Sequence, residues 1–401
     1  MRVGVIGGRL QGTEAAYLAR EAGFEVVLVD RDRSVPASGI ADEVHVFDVL
    51  HDPARARKVL SSCAAVLPAC EDRETLQWLH DHRDEWGAPL LFDLAAYDLT
   101  SSKRRSDALF AELDVPRPVP WPECGFPAVV KPSGASGSRG VRVVRDEAAL
   151  KAARRTLEEG GHEVVIQEYV NGPSLSVEVV RRAGRSFVLL PTMLEFDLGY
   201  DCKRVVAPAV ASSEVLDVLD REALRLAEAI DLDGIMDVEA IVDRGVPRVI
   251  EIDARLPSQT PTAVLHACGL NMVALLVRSS LEGGLPPVDR EVRRAVVYEH
   301  VRSSTQSVEV VGEHVMAHAR PLRLFADFYG ADVALTDRRP GRTWVATLVC
   351  RGNDGAAARR KAAAVEAAIA AERTAGGGCG GPSSRGLQGA APRERGGDVG
   401  Y

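Results

Sequence analysis

Residues 250–264 read Ile-Glu-Ile-Asp-Ala-Arg-Leu-Pro-Ser-Gln-Thr-Pro-Thr-Ala-Val, and they decide how the rest of this 401-residue sequence is interpreted. The apolar residues around Glu251 predict a β-strand, in which successive side chains point to opposite faces. Glu251 and Asp253 are two residues apart and therefore share one face, and Arg255 extends that row. Carboxylates in an otherwise apolar strand are costly unless they are paired or bound to a cation.

A second acidic run lies at residues 234–240, Gly-Ile-Met-Asp-Val-Glu-Ala, where Asp237 and Glu239 show the same alternation. Three carboxylates that converge from two such strands suit Mg²⁺, which takes oxygen ligands and bridges nucleotide phosphates. The alternative is a solvated sheet face on which Arg255 is only a salt-bridge partner. Two strands with the same pattern, both ending near a polar loop, favour the site.

Lys131 ends an apolar strand predicted at residues 126–131, and the loop Ser-Gly-Ala-Ser-Gly-Ser-Arg-Gly follows at 133–140. Small residues let backbone N–H groups close around phosphates, and the lysine adds positive charge. The Walker A pattern is absent, and a flexible hairpin tip is the alternative. Lys103 is the first residue of a predicted helix. It either binds phosphates or is a solvated residue at the end of that helix. Residues 167–170, Gln-Glu-Tyr-Val, can form an adenine slot.

The N-terminal glycines, Gly-Gly-Arg-Leu-Gln-Gly at residues 7–12, resemble a dinucleotide-binding turn, with Asp30 at the end of the second strand. However, Arg9 stands where the central glycine of that motif lets the backbone approach a pyrophosphate. We therefore expect a Rossmann-like scaffold with another use, and an NAD-dependent oxidoreductase is disfavoured.

Strand and helix signals alternate over the first ninety residues, which predicts a parallel sheet and an α/β fold. The predicted strands are Arg2–Ile6, Glu25–Asp30, 64–68, 89–92, 141–144 and 163–169, and the predicted helices are 13–22, Glu147–Glu159, 214–230 and 356–372. A proline-rich segment at 115–122 indicates a domain boundary nearby. The predicted organisation is a Rossmann-like domain at 1–92, a central domain at 93–295 with a lid at about 116–170, a smaller β-rich region at 296–373, and a disordered Gly-rich tail at 374–401.

Composition excludes several other classes of protein. Hydrophobic residues make up 46% of the chain and the formal net charge is -8, which disfavours nucleic acid as a partner. No apolar run approaches the length of ~20 residues that a membrane helix needs, and no signal peptide is recognised. The seven cysteines form no CxxC pair, so we expect reduced thiols and a cytoplasmic protein without a membrane partner.

Taken in order, these parts resemble an ATP-grasp enzyme. More closely, the chain resembles the ligase family of pyrrolysine biosynthesis, which couples 3-methyl-D-ornithine through its carboxylate to the side-chain amine of L-lysine. The segments that carry this resemblance are 7–12, 41–43, 90–93, 200–202, 234–241, 250–264 and 298–300. It spans roughly residues 1–350. Arg9 replaces a lysine usual in the family and keeps its charge, and Asp253 stands where many ATP-grasp ligases have asparagine.

The resemblance implies a role for each matching residue. L-lysine would be held by Leu10, Gln11 and Glu71, and the methylornithine by Ser176, Val177, Glu178, Asp237, Arg255, Pro257, Ser258, Gln259 and Thr260. ATP would be held by Lys103, Lys131, Ser138, Gln167, Glu168, Tyr169 and Val170, and its Mg²⁺ by Glu239, Glu251 and Asp253. A further nucleotide-contacting pocket would comprise Arg9, Asp30, Asp48 and Val49.

The expected chemistry is activation of a carboxylate as an acyl phosphate, followed by attack of an amine. Lys131 would offset developing phosphate charge, and Arg255 would stabilise the oxyanion of the tetrahedral intermediate. Either Glu71 or Asp237 would accept the proton of the attacking amine. The alternatives are an ATP-grasp ligase for another acid and amine, and a non-catalytic nucleotide-binding protein.

Overall fold

The computed structural model describes residues 1–339 and 341–374, so the predicted tail lies outside the described residues from 375 onward. The N-terminal part contains a parallel sheet. Its strands are β1 (Arg2–Ile6), β2 (Glu25–Asp30), β3 (Glu43–Val46) and β4 (Ala65–Pro68), in the order β3-β2-β1-β4. Its helices are α1 (Leu10–Glu21), α2 (Pro53–Leu60) and α3 (Arg73–Asp81), and Pro36–Gly39 and Arg83–Glu85 are short 3-10 turns.

The structure differs from the prediction at three points in this part of the chain. Residues 89–92 are not a strand, because Leu90 makes only an isolated bridge to Val66 before Asp93 caps the next helix. The β3 strand was not predicted, since its four residues carry little apolar signal. Helix α1 begins at Leu10, three residues earlier than predicted, and Gly12 packs so closely on the Gly7 carbonyl that a Cβ atom would lie 2.1 Å from that oxygen.

A small three-stranded sheet lies within the segment that is predicted as a lid. Helices α4 (Leu94–Thr100) and α5 (Lys103–Glu112) precede it, and it contains β5 (Ala128–Pro132), β6 (Arg142–Val144), α6 (Glu147–Glu159) and β7 (Val164–Glu168). The strand order is β6-β5-β7, and β5 pairs with β6 in antiparallel fashion. The predicted hairpin around the Gly/Ser loop is therefore confirmed, and Lys103 opens α5 as predicted.

The remaining strands form one sheet with eleven members. They are β8 (Ser174–Arg182), β9 (Arg185–Val188), β10 (Thr192–Phe196), β11 (Cys202–Ala207), β12 (Gly234–Asp243), β13 (Val246–Asp253), β14 (Ala295–Ser303), β15 (Val308–Val310), β16 (Arg323–Phe328), β17 (Ala331–Thr336) and β18 (Trp344–Gly352). The helices around it are α7 (Ser213–Ala229), α8 (Thr260–Cys268), α9 (Met272–Glu282), α10 (His314–Ala317) and α11 (Gly355–Thr374). Because β14 pairs with β11, the predicted C-terminal region continues the central sheet.

The two faces of this sheet differ in what they cover. Val177 and Val238 belong to an apolar cluster with residues of α7, such as Leu219 and Leu226. The alternate side chains, including Val180, belong to a cluster that contains residues of α1, α8 and α9. In the described part of the chain no single helix is long and apolar enough to cross a membrane, although α8 and α9, bent by 88°, meet the length and composition criteria together.

Candidate active site

Five carboxylates lie side by side on three neighbouring strands of the central sheet, on the face opposite α7. In one row, Glu178 of β8 faces Asp237 of β12, which faces Asp253 of β13. In the next row, Glu239 of β12 faces Glu251 of β13. Directly opposite residues in such pairs have Cβ atoms roughly 5 Å apart, so the register itself brings like charges together. We call these five residues the acid face.

Burial makes the acid face a strong attractor of protons and cations. It raises the pKa of Glu239 to about 8, and the charge of Glu251 adds to this effect. Burial likewise raises the pKa of Asp253 to about 6, and it holds the pKa of Asp237 well above its ordinary value, helped by Glu239. The charge of Glu178 is also disfavoured, since burial raises its pKa to about 7. A bound cation would favour the charged forms of the carboxylates that it contacts.

Two observations bear on the predicted magnesium site. Asp253 Oδ1 is buried and has no hydrogen-bond partner, so an oxygen ligand is available there. Among the residues that the structure describes, however, no three His, Cys, Asp or Glu side chains are spaced to enclose a metal ion by themselves. Mg²⁺ usually binds one or two carboxylates and completes its shell with water and substrate phosphates. The chemistry of Glu239, Glu251 and Asp253 fits that arrangement, and these ligands stay a prediction.

Two buried lysines meet the acid face from the lid side. Lys103 Nζ donates to Glu251 Oε1 and to the Ala135 carbonyl, at 2.7 Å in both cases. Lys131 Nζ donates to the Ile250 carbonyl at 3.1 Å, and burial is the main cause that lowers its pKa. The structure thus places both lysines beside a predicted magnesium ligand, where phosphate oxygens would find positive charge and metal together.

The predicted adenine segment lies at the end of β7. Gln167 is buried and pairs with Val129, while the Tyr169 backbone N–H donates to the Pro127 carbonyl at 3.2 Å. Glu168 Oε2 accepts from the Val119 N–H at 3.1 Å and from Arg248 at 3.3 Å. A ribose hydroxyl would therefore meet a carboxylate that Arg248 already orients.

Val170 and Ser138 complete the set of predicted ATP contacts. Val170 is buried at the end of the same segment. Ser138 lies on the Gly/Ser loop and lines a cavity of about 110 Å³ together with Glu239 and Glu251. That loop therefore lies directly over the acid face.

Glu71 connects the N-terminal domain to the rest of the site. It follows β4 and accepts from Ser136 Oγ of the Gly/Ser loop at 2.6 Å and from Gln11 Nε2 at 3.2 Å. It also forms an ion pair with Arg255 at 3.1 Å. Three separate parts of the chain thus meet at one carboxylate, at the carboxyl edge of the parallel sheet where ligands of such sheets bind.

A larger cleft of about 440 Å³ opens beside Glu71. It is lined by Leu10 and by the residues predicted for a further nucleotide pocket, which are Arg9, Asp30, Asp48 and Val49. Asp30 Oδ2 accepts from the Gly8 N–H at 2.8 Å, so this carboxylate already occupies a donor of the glycine turn. Arg139, His314 and His318 also line the cleft, and sequence reasoning missed them because they come from the lid loop and from the C-terminal region.

The loop after β13 carries the remaining predicted substrate residues. Arg255 Nε forms an ion pair with Asp253 Oδ2 at 2.9 Å. Ser258 Oγ and Gln259 Nε2 both donate to Glu313 Oε2, at 2.7 and 2.6 Å. Glu313 is another residue that sequence reasoning missed, since it lies more than fifty residues further along the chain in a segment without a motif.

The other substrate predictions fall into two groups. Pro257 and Thr260 line the same cavity as Asp237. Ser176 lies beside Glu239, and its buried Oγ has no hydrogen-bond partner. The side chain of Val177 differs, because it packs in the apolar cluster on the α7 side of the sheet. Any contact of Val177 with a ligand on the acid face would therefore be made by its main chain.

The chain matches the family model of the carbamoyl-phosphate synthase L chain, ATP binding domain, over residues 121–286. It is 34% identical over 351 residues to the 3-methyl-D-ornithine–L-lysine ligase of Methanosarcina acetivorans, which covers 87% of this chain and 92% of that protein. The corresponding ligase of Methanosarcina mazei is 35% identical over 353 residues, with 87% and 90% covered. The ADP complex of an N5-carboxyaminoimidazole ribonucleotide synthetase superposes with a TM-score of 0.67 at 19% identity, covering 93% of this chain and 97% of that chain. This structural similarity shows the fold alone.

The acid face predicts how stability changes with pH. The pKa values of Asp253 and Glu239 rise to about 6 and about 8 in the folded protein, so the folded state binds more protons than the unfolded state. Their contribution to stability is full below their unfolded pKa values and is lost as pH rises through 6 to 8. We expect the free energy of unfolding of the ligand-free protein to fall by about 1.4 kcal/mol per pH unit for each proton released.

Urea denaturation between about pH 5 and about pH 9 measures this slope. Glu239→Gln should make the fall shallower above neutral pH, whereas Glu163→Gln, an exposed lid residue, should leave it unchanged. A wild-type stability that is flat or rises over this range would contradict the electrostatic description of the acid face.

Proposed function

We propose, from the premise that this chain belongs to the 3-methyl-D-ornithine–L-lysine ligase family of ATP-grasp enzymes, that it joins (3R)-3-methyl-D-ornithine to L-lysine in pyrrolysine biosynthesis. The chain is an ATP-dependent ligase that forms a carbon–nitrogen bond and uses Mg²⁺. It acts on small-molecule substrates. The observation that carries the choice of substrates is the acid face, because each of the two amino acids carries two amines.

The acid substrate would lie on the row of the acid face that contains Glu178, Asp237 and Asp253. Both carboxylate oxygens of Glu178 are buried without hydrogen-bond partners, and an ammonium group of the methylornithine would satisfy them. The substrate carboxylate would then point towards Arg255, which is the nearest fixed cation of the loop. Ser258, Gln259 and Thr260 would close around the rest of the molecule.

Activation of the carboxylate brings its negative charge close to the negatively charged phosphates of ATP. A carboxylate oxygen attacks the γ-phosphorus, the bond to ADP breaks, and an acyl phosphate results. Lys131 and Lys103 bind phosphate oxygens and stay in place during transfer, since their Nζ atoms are already fixed by backbone carbonyls. Glu239, Glu251 and Asp253 would hold Mg²⁺, which would supply positive charge to offset that of the phosphates.

The amine substrate would enter from the N-terminal domain. Glu71 pairs with the α-ammonium of L-lysine, and Leu10 and Gln11 contact its chain, which leaves the side-chain amine free to reach the acyl carbon. That amine must lose a proton before it attacks. We assign this proton to Asp237, because Asp237 lines the cavity over the acid face, whereas Glu71 is already paired with Arg255 and would bind the α-ammonium. The amide bond forms as phosphate leaves, and Arg255 stabilises the oxyanion.

The rival functions have less support. Another acid and amine could be joined by the same phosphate-binding residues, so substrate identity depends on the acid face and on Glu71. A non-catalytic nucleotide-binding protein would have no use for buried, unpaired carboxylates. Arg9 lines the cleft where an NAD pyrophosphate would need a glycine. The domain limits, the additional nucleotide pocket, the cytoplasmic location and the absence of nucleic-acid or membrane partners stay predictions.

The product identifies the function. Incubation of the protein with ATP, Mg²⁺, 3-methyl-D-ornithine and L-lysine should yield equal amounts of ADP, phosphate and one dipeptide, detected by mass spectrometry. Nα-acetyl-lysine keeps the reacting amine and should give some product, whereas Nε-acetyl-lysine should give none. ADP release without any dipeptide, or product from Nε-acetyl-lysine alone, would exclude the proposed reaction.

The roles of Asp237 and Glu71 can be separated by nucleophile. Asp237→Asn should lower kcat for lysine at least ~100-fold, because a general base contributes that much. Hydroxylamine is uncharged at neutral pH and needs no base, so hydroxamate formation should persist in this variant.

Glu71→Gln should instead raise the KM for lysine about 10-fold and leave the KM for ATP unchanged.

Equal losses with lysine and hydroxylamine in Asp237→Asn would show that Asp237 does not act as the base.

A further inference from the structure

Helix α8 begins directly after the loop that would hold the acid substrate, and it lacks a cap of its own. The first backbone N–H groups of a helix have no partner inside it, and the residue before the helix usually accepts one of them. Here that residue is Gln259, whose side chain makes no capping hydrogen bond. Pro261 has no N–H, and the Thr260 N–H donates to the Ser258 carbonyl at 3.0 Å. The Thr262 N–H is left in need of an acceptor.

Glu14 of helix α1 supplies that acceptor from the N-terminal domain. Its Oε1 accepts from the Thr262 N–H at 2.6 Å, although the two residues are 248 positions apart in the chain. Glu14 is 3% exposed, so this contact is fully enclosed. Burial raises the pKa of Glu14 to about 7, against hydrogen bonds from Thr262 and Gln259 that lower it. A buried carboxylate of this kind would be costly without the helix terminus that it faces.

The external cap leaves the side chain of Gln259 free for the site. Gln259 has φ 77°, a left-handed conformation that is uncommon for a residue with a side chain. In that conformation its amide turns away from the helix and donates to Glu313 Oε2, while its buried Oε1 has no partner. Gln259 lines the same cavity as Asp237 and Glu239. The loop geometry and the cap therefore depend on each other.

We propose that Glu14 is a positioning residue for the acid substrate, because it caps helix α8 from the N-terminal domain and thereby holds Ser258, Gln259 and Thr260 towards the acid face. Helix α1 also carries Gln11, one turn before Glu14, at the place proposed for the amine. Helix α1 would thus position both the loop that binds the acid substrate and a residue that contacts the amine substrate. The inference rests on the proposed function for the identity of these substrates.

Three substitutions of Glu14 test the cap. Glu14→Gln keeps an oxygen acceptor and should stay within about threefold of wild type in every constant. Glu14→Met fills similar volume without an acceptor, and Glu14→Asp withdraws the carboxylate by one methylene. Both should raise the KM for 3-methyl-D-ornithine about 10-fold, as expected for loss of a helix cap, while the KM for ATP stays within twofold.

Leu18→Ala is the matched control, since Leu18 is a fully buried residue of the same helix, one turn beyond Glu14, and its side chain has no acceptor that could cap α8. It should lower the melting temperature and leave the KM for the acid within twofold. An unchanged KM in both Glu14→Met and Glu14→Asp would overturn the proposal, and so would an equal rise in Leu18→Ala. Impairment of Glu14→Gln as severe as that of Glu14→Met would also overturn it.

Amide hydrogen exchange separates this proposal from the proposed function, because it needs no substrate. Exchange at residues 259–263 should accelerate in Glu14→Met and in Glu14→Asp, but not in Leu18→Ala or Glu14→Gln. If wild type forms no dipeptide while exchange follows this pattern, the reaction is wrong and the cap is right. Unchanged exchange in both Glu14→Met and Glu14→Asp would show that Glu14 does not hold the loop.

Discussion

Repulsion among five carboxylates on one face of the central sheet is the constraint on which the rest of this structure depends. Strand register places them in adjacent rows, and burial raises the pKa of each one for which a shift is resolved. Such a face is tolerable only beside positive charge. The chain supplies it from two directions, with Lys103 and Lys131 towards the lid and Arg255 towards the N-terminal domain.

This need for positive charge also explains why the site is built from distant segments. Arg255 lies between Asp253 of the sheet and Glu71 of the N-terminal domain, and Glu71 in turn binds Ser136 of the Gly/Ser loop. The charges left over by the protein, on Glu178 above all, match the amines of a dibasic substrate. In the proposed function, a metal ion and the ammonium groups of the two amino acids would reduce this excess of negative charge, so binding and catalysis would draw on the same imbalance.

Much of this arrangement could be predicted from local pattern. Period-two alternation placed Glu251 and Asp253 on one face, and the lysine before a small-residue loop marked the hairpin of the lid. Contacts between distant segments could not be predicted in the same way. Glu14 and Glu313 carry no motif, and only the packing of α1 and of the segment before α10 on the loop shows their partners. Residues 89–92 were wrong as a strand because apolar content does not distinguish a strand from a segment that leads into a helix.

The central claim is that this chain activates a carboxylate by transferring phosphate to it on the acid face. The most direct measurement uses 3-methyl-D-ornithine with ¹⁸O in both carboxylate oxygens, together with ATP, Mg²⁺ and L-lysine. The account predicts that one labelled oxygen appears in inorganic phosphate for each dipeptide formed, and that the other stays in the amide carbonyl. Unlabelled phosphate alongside labelled dipeptide would contradict it.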